Sequence, residues 1–149
     1  QLLTSMQPQV AELFLRVQFT HATDQCMLKP ETLQSAEVRQ RALLQELDEI
    51  IADSFNYGLT AGMVTVAKRL LFVQHRHCSM VHELVRSSPE DLRRCWHRMV
   101  KAFHSHINNQ AVLSCTGHDI EYGYDFNDWS NLGSFVLLDN DIWQSVFRA

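Results

Sequence analysis

Residues 60–85, TAGMVTVAKRLLFVQHRHCSMVHELV, decide how the rest of the chain is read. Met63, Val66, Ala67, Leu70, Gln74, Cys78, Val81 and Val85 recur at helical spacing, and Leu71, Val73 and Leu84 widen the apolar face they make. A helix apolar over so wide an arc is touched on more than one side, so this stretch predicts a central helix with others packed around it. Just before it stands Phe55-Asn56-Tyr57-Gly58, where Asn and Gly suit the reversal after a helix. So short a turn predicts that the preceding helix runs back antiparallel.

That preceding helix is predicted over Pro30 to Ser54, with Leu33, Ala36, Leu43, Leu47, Ile50 and Ile51 apolar and Glu37, Arg39, Arg41, Glu46 and Glu49 on the other faces. An earlier one is predicted over Pro8 to Phe19, with a stripe of Val10, Leu13, Phe14 and Val17. Residues 20–29 lack that period and precede Pro30, which biases Lys29 away from the helical region, so a break is expected there. On the other side, Ser88-Pro89-Glu90-Asp91 reads as a cap, a first-position proline and two acids near the positive end of a helix. Leu92, Cys95, Trp96, Met99, Val100, Phe103 and Ile107 follow at helical spacing and predict a fourth helix through residue 107.

Beyond residue 107 the pattern changes. Ile120, Tyr122, Tyr124 and Phe126 alternate as a half-buried strand would, Leu132 to Leu138 is an apolar run, and Asp139-Asn140-Asp141 is placed to cap a short final helix. The expected fold is therefore mainly α: an antiparallel bundle of about four principal helices, with an acidic, aromatic-rich C-terminal segment of short strand or helix pieces packed on it. Residues 1–149 are read as a single helical domain, with 108–149 as an irregular extension. Gln1 in the place of an initiator Met leads to the expectation of a segment cut from a longer protein.

Composition narrows the function classes. The 149 residues are 46% apolar, enough for one compact core. The apolar runs are short and interrupted by charge, well below the ~20 residues of a membrane span, and no signal peptide is read. Cys26, Cys78, Cys95 and Cys115 lie far apart without a Cys-x-x-Cys pair, which predicts reduced thiols and an intracellular (cytoplasmic or nuclear) protein. Net charge is −4, unevenly spread: up to residue 107 there are 12 Lys/Arg against 11 Asp/Glu, and from 108 onward six acids and only Arg148. A near-neutral body with a basic stretch over 68–101 thus faces an acidic end.

No P-loop, dinucleotide-binding, nucleophile-elbow or EF-hand motif occurs, and His82-Glu83-Leu84-Val85-Arg86 has Arg86 where a metalloprotease helix needs its second histidine. The expected function is a protein–protein interaction or scaffolding module of a larger intracellular protein, with no catalysis of its own. Arg94, Arg98 and Lys101 are expected to share a wet, cationic helix face for a protein partner, possibly acidic, joined by Tyr122, Tyr124 and Trp129 of the tail, because Arg, Tyr and Trp dominate interface energetics. An acidic pI near 6.0 argues against a dedicated nucleic-acid module. The alternative is a zinc-stabilised regulatory or nucleic-acid-binding domain, with Cys78 and His82 one helical turn apart and Cys115 and His118 on a turn as four tetrahedral ligands. An enzyme whose polar residues converge only in the fold is the third reading. His75, His77, His97, His104 and His106 are read mostly as solvated.

Overall fold

The computed structural model describes residues 8–105, 107 and 109–121. It is mainly helical and carries a small antiparallel sheet: α1 (Pro8–Leu28), a 3-10 turn (Pro30–Thr32), α2 (Leu33–Ala52), α3 (Ala61–Arg86), α4 (Leu92–Arg98), then β1 (Lys101–Ser105), β2 (Gln110–Cys115) and β3 (His118–Glu121). Among the described residues no helix is long and apolar enough to cross a membrane.

The central helix forms as its sequence predicts. Thr60 caps it by accepting a hydrogen bond from the Met63 amide at 3.2 Å, and Val66, Ala67, Leu70, Val73, Met80, Val81 and Leu84 are buried along it. Two clusters of the core form on α3. One joins its C-terminal half to Phe19, Cys26, Leu33, Ala36, Leu92, Trp96 and Met99; the other packs Val66 and Leu70 on Ala11, with Leu15 and Leu47 alongside. The reversal before α3 places Gly58 at φ +68, where a side chain would be strained.

The expected break at residues 20–29 is corrected: α1 continues to Leu28. Its buried stripe is carried there by small polar residues, Thr20, Thr23 and Cys26, which a hydrophobic pattern does not register. Thr23 donates to the Phe19 carbonyl at 2.8 Å, and Thr20 Oγ1 accepts from the Ala102 amide at 3.1 Å, tying α1 to β1. Each hydroxyl satisfies its hydrogen-bonding need within the core, so burial costs little. Thr20→Val keeps the shape but strands the Ala102 N–H, and is expected to lower stability by about 1–3 kcal/mol in thermal unfolding. A loss below about 0.3 kcal/mol would show that this amide finds another acceptor.

The expected fourth helix through residue 107 is also corrected. It stops at Arg98, Met99 turns extended at ψ 149°, and the chain enters β1. Helical spacing would have put Val100, Phe103 and Ile107 on one buried face. Instead Met99 and Ala102 are buried, Phe103 is half exposed and Ile107 is wholly exposed. Pairing decides the matter: β1 lies antiparallel to β2 with Phe103 opposite Val112, and β2 to β3 with Leu113 opposite Ile120. The three strands stand in chain order, and Ala102 and Ala111 pack with Leu13, Val17 and Leu113. A strand, β3, covers His118–Glu121 with all four residues exposed; of the half-buried strand expected from Ile120, Tyr122, Tyr124 and Phe126 only Ile120 falls within it, and the other three lie outside the described residues. Residues 122–149, including the apolar run and the final helix expected there, lie outside the described residues.

The β2–β3 connection is Thr116-Gly117 with φ of +53 and +79, both in the left-handed region that a two-residue hairpin requires. Glycine adopts this freely, whereas a β-branched threonine does so only when held. Here the Thr116 amide donates to the His97 carbonyl at 3.1 Å, locking the hairpin against the end of α4.

Candidate interaction surface on helix α4

Seven residues, Leu-Arg-Arg-Cys-Trp-His-Arg, make α4, and they divide cleanly between core and solvent. Ser88 holds the start, its carbonyl accepting from the Leu92 amide at 2.9 Å and its hydroxyl from the Asp91 amide at 3.3 Å. Leu92 and Trp96 point inward, while Arg93, Arg94, His97 and Arg98 are exposed.

Trp96 anchors the helix. Its indole Nε1 donates to Asp24 Oδ1 at 2.7 Å, a hydrogen bond to a carboxylate, and its ring stands edge-on to Phe19 with centroids 6.4 Å apart and planes at 70°. Phe19 in turn stacks on the buried ring of His77 at 3.9 Å and 4°. His77 Nδ1 lies 3.4 Å from Gln74 Oε1, and Gln74 donates to the carbonyl and the side-chain oxygen of Gln40. A continuous chain of contacts thus runs from α2 through α3 and α1 to α4. His77, read from sequence with the solvated histidines, is corrected to a core residue, and burial, with Arg16 and Arg76 nearby, holds its imidazole well below the usual range and therefore neutral.

Lys101 departs from its expected place beside Arg94 and Arg98. It begins β1, is buried, donates to the carbonyls of Trp96 and His97 at 3.0 and 3.4 Å, and holds its ammonium 5.2 Å from the centre of the Trp96 ring. The physical reason is the end of α4, whose last carbonyls lack intrahelical partners and carry partial negative charge. Lys101 caps two of them, and the Cys115 thiol donates to the Arg98 carbonyl at 3.3 Å. Burial lowers the Lys101 pKa from its ordinary value, opposed by Asp24 and Cys115. Lys101 is therefore a structural cation, and the exposed face consists of Arg93, Arg94, His97 and Arg98. Arg94 reaches Asp91 at 3.6 Å, but with 77% of its side chain exposed the pair is weak and open to exchange.

The structure does not bring the four expected metal ligands together. Cys78 and His82 sit on α3, where His82 Nδ1 donates to Glu37 Oε1 of α2 at 2.8 Å, and Arg41 donates to the same oxygen at 2.7 Å. The hydrogen bond from His82, with Arg41 beside it, keeps the Glu37 carboxyl below its usual range despite partial burial. Cys115 is engaged at the end of α4, and His118 stands exposed on β3. Among the described residues no three His, Cys, Asp or Glu side chains gather as around a metal ion. Burial raises the Cys78 and Cys95 thiols above their ordinary values, so neither is an activated thiolate.

Tyr122, Tyr124 and Trp129 lie outside the described residues. Sequence reading missed Asp24 and Phe19, because one fell in the expected break and the other at the end of a shorter predicted helix. Only the predicted burial of Trp96, whose N–H needs a partner, pointed to such an acceptor. No protein-family model matches this chain, and no curated protein matches it either.

Proposed function

We propose that this chain is a protein-interaction module, of scaffold or adaptor type, that presents the cationic face of α4 to an acidic segment of a protein partner. The observation that supports this most is the contrast within seven residues: Arg93, Arg94, His97 and Arg98 are all exposed, on a helix immobilised from beneath by Trp96 and from its end by Lys101 and the Thr116 amide. Rigid presentation matters, because a pre-ordered cationic surface loses less entropy on binding than a mobile one. A sequence pI near 6.0 favours a protein over a nucleic acid as the partner.

The same proposal takes the long helices as an antiparallel bundle, supported for α2 and α3 by the short connection from Asp53 to Thr60. It takes the acidic, aromatic-rich residues beyond 121 as a further source of contacts for the bundle or its partner, and places the protein inside the cell, in keeping with four free cysteines.

Charge reversal tests the central claim. Arg93→Glu with Arg94→Glu is expected to leave the melting temperature within about 2 °C, because both side chains are solvated, and to abolish capture of the partner from native-cell extract at moderate salt. The unaltered chain should lose the same partner as salt rises, since the contact is screened. Equal recovery by both proteins, or capture indifferent to salt, would reject the α4 face.

A further inference from the structure

We infer that the corner between α1 and α2 holds a second, independent binding cleft, suited to a short acidic peptide segment that carries an apolar side chain. The chain turns there at Lys29-Pro30, and each of the two helices packs more on α3 than on the other. The corner leaves an open hollow of about 570 Å³, within the range of small-ligand and peptide side-chain pockets.

Its walls are of two kinds. Ala22 and Cys26, one turn apart on α1, and Leu28 at its end give an apolar surface; Leu28 is 76% exposed, an unusual state for leucine at the lip of a concavity. Lys29 and Arg39 supply the charge. Both are exposed, both line the hollow, and among the described residues neither side chain has an ion pair or hydrogen bond. Among the described residues no acidic side chain lines the cleft to neutralise them. Thr32 Oγ1 donates to the Lys29 carbonyl at 2.7 Å and so fixes the backbone from which that ammonium projects.

Two unneutralised cations beside an apolar wall select an occupant that is anionic and apolar at once. A simple inorganic anion would leave Leu28, Cys26 and Ala22 without a partner. An acyl chain needs enclosure along its length, whereas this hollow is open on one side and accommodates a side chain projecting from a backbone that passes across its mouth. Acidic residues flanking a Leu or Phe meet both requirements. The site lies on the α1–α2 corner and does not involve α4, so it stands or falls apart from the proposal for that face.

The experiment titrates the full ¹⁵N-labelled chain with the peptide Ac-Glu-Glu-Leu-Phe-Glu-Glu-NH₂. Expected are saturable amide shifts at Ala22, Gln25, Cys26 and Leu28, at least about tenfold weaker binding by Lys29→Glu with Arg39→Glu, and unchanged binding at these amides by Arg93→Glu with Arg94→Glu. Lys29→Arg with Arg39→Lys should retain binding, since charge rather than fork geometry is at work. The inference is overturned if the Gln-for-Glu peptide binds equally, if the charge-reversed corner binds equally, or if dodecanoate shifts these amides and the peptide does not. It is also overturned if Asp125→Asn with Asp128→Asn moves the same amides in the absence of peptide, which would make the chain's own acidic segment the occupant.

Discussion

Trp96→Ala is expected to lower the unfolding free energy by about 3–5 kcal/mol, the largest effect of any single substitution in α4. Three losses combine: the burial of the indole in the main core cluster, its edge-on contact with Phe19, and the hydrogen bond from Nε1 to Asp24. The last leaves a carboxylate without its partner in a half-buried position. Lys101 loses the ring beside its ammonium as well. Urea denaturation followed by far-UV circular dichroism measures the sum, and Trp96→Phe separates its parts. Phenylalanine restores most of the apolar burial but not the N–H, so it should recover all except about 1.5–3 kcal/mol. A loss below about 1 kcal/mol for Trp96→Ala would mean that α4 is not held by this residue, and the rigid cationic face would lose its physical basis.

Acidification from pH 7.5 to 5.5 is expected to destabilise the protein through His77. The sign follows from where the proton goes. Burial holds the folded-state imidazole well below its ordinary value of 6.5, so below about that pH the unfolded chain binds a proton that the folded chain refuses. Stability then rises with pH, at up to about 1.4 kcal/mol per pH unit for one such group. Denaturant midpoints across this range should show the slope, and His77→Phe should flatten it, because phenylalanine fits against Phe19 and has nothing to protonate. Persistence of the full slope in that variant would assign the effect elsewhere. Two carboxylates act with opposite signs: burial raises Glu12, so folding gains relative stability there as pH falls, whereas Glu37 is lowered by His82 and Arg41 and loses it.

What can be read from sequence and what cannot divide along particular residues. Thr60 to Val85 announced itself, because a helix in contact on several sides must repeat its apolar residues with helical period, and that period is a local property. Ser88-Pro89 marked the turn that leads into α4 for an equally local reason, although the helix itself begins only at Leu92. The end of α4 was not legible. Val100, Phe103 and Ile107 fit a helix as well as a strand, and the choice rested on β2, whose partners stand on the far side of a turn. Residues 20–28 of α1 misled in the other direction, since Thr20 and Thr23 satisfy their hydroxyls through Ala102 and Phe19, contacts that spacing within the segment does not reveal.

The candidate surface follows the same division. Arg94 and Arg98 could be placed on a solvent face because charge and helical period settle that locally, whereas Lys101 could not, because three residues beyond Arg98 the backbone had already left the helix. By itself, the order of side chains determined the helical class, the central helix and the exposure of the α4 arginines. Tertiary structure alone decided where α4 stops, that Lys101 caps it, that His77 is buried and neutral, and that the corner at Lys29 is hollow. Each of these depends on groups far apart in the chain competing for one hydrogen-bond acceptor or one volume of core, and such competition is resolved only when the chain has folded.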